Sequence, residues 1–285
     1  MQERIRKVGF EAEFMSAIMA EGLVSTFGVR LVDITSAIEH VWWVKSENSI
    51  ALMQRAGWLC TIGFREASTA ISEHQPETVA KGRGDYAVLH AAARHFSDNR
   101  IHLYSNVISG ERVSAGGGHD LPYGRIPVDG DQVFHVWAVN CDGYWALLSR
   151  TTYIGEPKVE TRRLYHMVEA ARGAALNVVK PGVMGMNIFE AVAWTLRSEK
   201  IPKSSIYAGR GIGARMGESP ALDAESRVPL QAGTVLRIGP EVFGSFGSLG
   251  ATDTVLVTLD GYKILTDADA KQFSTQDRVG DVSRG

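Results

Sequence analysis

Twice along this 285-residue chain, two stretches of helical periodicity are followed by a block of short apolar runs broken by glycine. That repeat limits the fold more than any other feature. In the first copy, residues 50–71 place Ile50, Met53, Ala56, Gly57 and Cys60 on one helical face, and residues 78–95 form the next helix despite Gly82 and Gly84. Residues 104–109, 132–140 and 143–154 then read as antiparallel strands, with turns at Asp129-Gly130-Asp131 and Cys141-Asp142-Gly143. In the second copy, residues 158–179 and 187–200 are helical around a Lys180-Pro181-Gly182 break. Strand runs follow at 206–216, 234–242, 254–258 and 262–265. The pattern implies an α+β fold with an internal duplication. Ahead of it, residues 4–10 read as a strand, 11–23 as a helix and 29–34 as a second strand. Ser46 and Ser49 offer capping hydroxyls to the first long helix, without the glutamate of a full capping box. Residues 268–285 are polar and read as a disordered tail.

Composition narrows the partners. A net charge of -2 with scattered basic residues provides no stripe for a phosphate backbone, so nucleic acid is not an expected partner. No apolar run approaches the ~20 residues of a membrane span, and residues 1–10 lack the apolar stretch of a signal peptide. Cys60 and Cys141 stand far apart and in no metal-ligand spacing, which suits a reducing compartment. The cytoplasm is the expected location.

Several motifs occur together and in order over residues 40–266: Lys45-Ser46-Glu47, Ser109-Gly110 with His119, Gly130-Asp131, Gly143-Tyr144, Arg150-Thr151, and Gly155-Glu156-Pro157. Further on come Lys180-Pro181-Gly182, Gly209-Arg210-Gly211-Ile212-Gly213, Glu218 with Pro220, Gly233-Thr234-Val235, and Asp253-Thr254-Val255. This series resembles the creatinase, prolidase and methionine aminopeptidase family. The resemblance implies its pita-bread fold, a curved antiparallel sheet covered by helices, over residues 41–267, with residues 1–40 as the remnant of an N-terminal domain. It also implies a homodimer acting on a small molecule.

In metal-dependent members of that family, two Asp, one His and two Glu hold a pair of divalent ions. The resemblance puts those positions on Val136, Leu147, Arg210, Gly239 and Thr252. None of these side chains is a carboxylate or an imidazole, and arginine carries fixed positive charge, so no metal or other cofactor is expected. His135 and Asp253 lie one residue from lost positions, but a one-residue slip in a strand turns the side chain to the other face. Glu241 keeps the parity of Gly239.

Creatinase, within the same family, cleaves a carbon–nitrogen bond with a histidine rather than a metal. The matching residue is His119, in Gly116-Gly117-Gly118-His119-Asp120. An ordinary imidazole both takes and gives a proton near neutrality. The carboxylates that would grip a guanidinium-like substrate are replaced by Ser149 and Gly239, which argues against creatine. The expected site has His119 and Glu218 as catalytic groups, with Arg210, Tyr144, Val136, Leu147 and Glu241 around the substrate. Arg210 suits a substrate carboxylate or an oxyanion. The function implied is metal-independent hydrolysis of a carbon–nitrogen bond, or a related elimination or isomerisation; the alternative is a silent homologue kept as a binding module. His90, His95, His102 and His166 read as surface residues. The Gly209–Gly213 run lacks the following helix that a nucleotide loop requires.

Overall fold

A computed structural model describes residues 5–116, 120–199, 201–244 and 247–266. The chain opens with a small βαβ unit, β1 (Lys7–Phe10), α1 (Ala17–Phe27) and β2 (Arg30–Asp33), whose strands pair in parallel. Helix α1 starts later than the periodicity suggests because Ser16 caps it, its Oγ accepting from the Met19 N–H at 3.3 Å. Residues 38–44, apolar and aromatic, fall within and just after a helix, α2 (Thr35–Trp43).

The first half of the main body comprises α3 (Glu47–Ser72), α4 (Glu77–His95), β3 (Ile101–Ser109), the short α5 (Glu111–Gly116), β4 (Gln132–Cys141) and β5 (Tyr144–Tyr153). Ser46 caps α3 by accepting from the Ser49 N–H. The second half comprises α6 (Val159–Val178), α7 (Gly185–Leu196), β6 (Ile206–Gly211), β7 (Glu218–Ala221), β8 (Val235–Gly244), β9 (Gly247–Val257) and β10 (Tyr262–Ile264). The run read as one strand over 206–216 is shorter: β6 ends at Gly211, and the chain turns before β7. Strand β9 begins seven residues before the run read at 254, because Gly250 and Ala251 break its apolar pattern without breaking its ladder.

All the long strands join one antiparallel sheet in the order β3-β4-β5-β9-β8-β6-β7, with β10 on β9. The duplication is visible in its packing. Helices α3 and α4 cover one face of β3–β5 through Leu59, Ala67, Val88, Val107, Trp137 and Leu148. Helices α6 and α7 cover the matching face of β6, β8 and β9 through Val168, Ile188, Val192, Ile238, Val242 and Val255. Side chains alternate along each strand, so the residues between these core positions project to the opposite face. The four histidines read as surface residues are all exposed.

Candidate functional site

Register fixes which side chains share that opposite face. Val136 of β4 stands across from Ser149 of β5, and Ser149 across from Thr252 of β9. On β8, Ile238 pairs with Asp253 and Glu241 with Gly250, which aligns Gly239 with Thr252. The backbones are so close there that a Cβ on Gly239 would collide with the Ala251 carbonyl. Arg210 of β6 pairs with Arg237 of β8, and Tyr207 with Glu241, across a β-bulge between Tyr207 and Gly209. Four of the five positions discussed for metal ligands therefore lie side by side. The fifth, Leu147, pairs with Ala138 on the same face and is buried in an apolar cluster with Met53, Ile212 and Val235.

His135 and Asp253, the donors nearest those positions, point elsewhere. His135 is fully buried against the Phe64 ring, its Nε2 3.0 Å from Thr152 Oγ1, and burial pushes its imidazole down to about 3. The Asp253 carboxylate is gripped by Arg150 at 2.7 Å and Arg172 at 2.5 Å and accepts from Thr266 Oγ1. Both are structural on the helix-covered side.

The exposed side of the row is polar and carries an excess of positive charge. Thr252 Oγ1 donates to Glu241 Oε1 at 3.3 Å. The Arg237 guanidinium lies over the Tyr207 ring, 5.0 Å from its centroid. Arg210 Nε donates to the backbone carbonyl of Glu218 at 3.3 Å, with Gly217 packed beneath the guanidinium. Burial raises the Tyr207 phenol above its ordinary value, so it remains a neutral donor. Among the described residues neither Arg210 nor Arg237 forms an ion pair, Ser149 Oγ is buried without a protein partner, and the buried Tyr207 hydroxyl has the Arg237 side chain as its polar neighbour. A divalent cation takes several oxygen or nitrogen donors. One carboxylate among two guanidiniums does not fit a metal pair, and no cluster of three His, Cys, Asp or Glu suited to a metal occurs among the described residues.

The other expected site residues separate from this row. The Glu218 carboxylate is buried, 2.7 Å from Lys45 Nζ, and accepts from the Arg215 N–H at 3.0 Å. Burial lowers the Lys45 ammonium, with Glu218 opposing that shift. Tyr144 lines a cavity of about 250 Å³ together with Lys45, Ser49, Trp42 and Glu218. Thus Glu218 touches Arg210 through its backbone, while its side chain holds the turn after β6. Arg215 stacks on Phe14 and Trp42, and its Nη2 donates to both carboxylate oxygens of Glu11.

His119 lies outside the described residues. The residue after it is firmly held: Asn106, opposite Val136, donates to the Asp120 carbonyl at 2.6 Å, and Arg112 donates to the Asp120 carboxylate at 2.9 Å. Arg112 also pairs with the fully buried Glu77, which accepts from the Ser109 N–H and hydroxyl. Sequence reasoning missed Arg237, Tyr207 and Asn106. The parity of Arg237 with Gly239 and Glu241 was available as a signal; the bulge that turns Tyr207 to this face was not.

Comparison with known proteins agrees with this fold. An uncharacterized peptidase of Bacillus subtilis (strain 168), YqhT, is 24% identical over 272 residues, covering 92% of this chain and 73% of that protein. The prolidase from Pyrococcus horikoshii OT3 superposes with a TM-score of 0.82 at 20% identity, over 92% of this chain and 74% of that one. The N-terminal domain of FACT complex subunit SPT16 from Cicer arietinum gives 0.77 at 18% identity, over 93% and 69%. The two structural likenesses are likenesses of fold. Residues 51–259 match metallopeptidase family M24, and the chain belongs to that family.

Proposed function

We propose that this chain is a metal-independent member of the family, a hydrolase of carbon–nitrogen bonds or a related lyase or isomerase that acts on a small polar or anionic substrate. The observation that carries the reading is Arg210, a guanidinium with no carboxylate partner among the described residues, in a row whose other members are Val136, Thr252 and Gly239. Fixed positive charge there favours an anion. His119 is the proposed proton carrier for hydrolysis: it takes a proton from water as the water oxygen bonds to the substrate carbon, and gives it to the departing nitrogen as the carbon–nitrogen bond breaks. In this reading Glu218 supports the turn that carries the Arg210 contact, and Tyr144 walls the adjoining cavity. The family relationship favours hydrolase chemistry.

The reading extends to a cytoplasmic homodimer. Free, buried Cys60 and Cys141 suit a reducing compartment, and no helix among the described residues is long and apolar enough to cross a membrane. Helix α1 buries none of its residues and exposes Ile18, Met19 and Phe27, apolar surface that a second copy would cover.

The test is turnover of a panel of small amides, ureido acids and amino acids by the purified protein, with and without chelator, beside its metal content. Chelator-insensitive turnover that falls by about a hundredfold or more in His119→Ala is expected. Stoichiometric Mn, Co, Fe or Zn with chelator-sensitive activity overturns the reading. A binding module without turnover is the competing reading, favoured by the engagement of Glu218 and Asp253 in structural ion pairs.

A further inference from the structure

Two guanidiniums, rather than the single one legible in the sequence, face the same patch. Arg210 and Arg237 are directly paired across β6 and β8, both are part-exposed, and neither meets a carboxylate among the described residues. Paired like charges on adjacent strands destabilise a sheet unless something of opposite charge joins them. Among the described residues Glu241 is the one acidic side chain paired into this part of the face, against two guanidiniums. Tyr207 stands beside Arg237 as a neutral donor, and on the same face, two strands away on β5, lies the hydroxyl of Ser149, a residue only 1% exposed whose Oγ has no protein partner among the described residues. The planar fork of arginine matches a carboxylate with two parallel hydrogen bonds.

We propose that Arg237 and Arg210 together form a carboxylate clamp, with Tyr207 and Ser149 receiving a second, neutral polar group of the same small organic acid. This deepens the metal-independent reading and rests on its assignment of the Arg210 face. It names the substrate class: a small carboxylic acid carrying a hydroxyl, amide or carbonyl group. Arg237 is the specificity-determining residue, since it completes the fork.

The experiment titrates the intact protein with succinate, malate and N-acetylglycine, with a neutral diamide and inorganic phosphate as comparison probes, by calorimetry. The acids should bind, and affinity should fall by about tenfold or more in Arg237→Met and in Arg210→Met, with partial rescue in Arg237→Lys. Phenylglyoxal labelling of the unmodified protein provides a readout independent of variant folding. The bound acid should slow labelling of Arg210 and Arg237 but not of the exposed Arg30. Absent binding of every acid, unchanged affinity in Arg237→Met, equal affinity for the diamide, or tighter binding of phosphate than of the acids overturns the clamp. Carboxylate binding lost in Arg237→Met, without turnover of any substrate, supports the clamp and removes the enzyme reading. Chelator-insensitive turnover of a neutral substrate that Arg237→Met leaves unchanged removes the clamp and keeps the enzyme.

Discussion

His135 sits one residue from Val136 and has the chemistry of a metal ligand, yet its strand parity gives it to the core. Because it is fully buried, its pKa drops to about 3 from an ordinary 6.5. The unfolded chain therefore binds a proton between those values that the folded chain refuses. The stability this residue contributes is complete above 6.5 and is lost as pH falls through the window toward 3. The expected slope from this residue is roughly 1.4 kcal/mol per pH unit in that window. His135→Leu should flatten the dependence by about one proton, read from denaturant unfolding between pH 6 and 4; an unchanged slope would show that another group governs acid unfolding. Asp253 illustrates the same rule, since its parity opposes that of Thr252 and delivers its carboxylate to Arg150 and Arg172. Parity was legible in the sequence for both residues. Their partners, from strand or helix positions far away in the chain, were not.

At the scale of elements, the crossing of α3 and α4 over β4 depends on two glycines. The Trp137 indole is wedged between Gly63 of α3 and Gly84 of α4, and a Cβ on either would collide with the ring. Sequence reading counted Gly84 only as a weakness in a helix; packing makes it a requirement. Alanine is the better helix former by about 1 kcal/mol. Overpacking a closed core costs about 1–3 kcal/mol and occasionally more, so sterics should win against a wholly buried tryptophan. Gly84→Ala is expected to lower unfolding stability by roughly 1–3 kcal/mol, and adding Trp137→Phe should recover part of that loss in a double-mutant cycle. A Gly84→Ala protein as stable as the parent would contradict this packing. The long helices and most strands were legible because each covers several repeats of its hydrophobic period. Helix α2, with no side-chain cap at Ile34, and the four-residue β7 have too little local signal.

At the scale of the molecule, the N-terminal unit is tied to the turn between β6 and β7 by Arg215. Its guanidinium stacks on Phe14 and Trp42 and holds Glu11 at 2.9 and 3.0 Å. Arg215→Met keeps an apolar stem but removes the charge, so amide exchange in β1 and β2 should quicken several-fold while β4 and β9 stay protected. Equal exchange in β1 and β2 would mean that the unit is held by other contacts. The same turn also carries Gly217 and Glu218 against Arg210, which links the N-terminal unit to the candidate site through one short segment. The sequence by itself determined the α+β class and the duplication, because hydrophobic period and turn residues are local properties. Only the tertiary structure decided which side chains share one face of the sheet. Tyr207 and Arg210 are three residues apart and would face opposite ways in a regular strand; the bulge at Gly209, with its φ of 134°, turns both to one side. Pairing with β8 then brings Arg237 beside Arg210 from 27 positions away, a juxtaposition set by strand order and register.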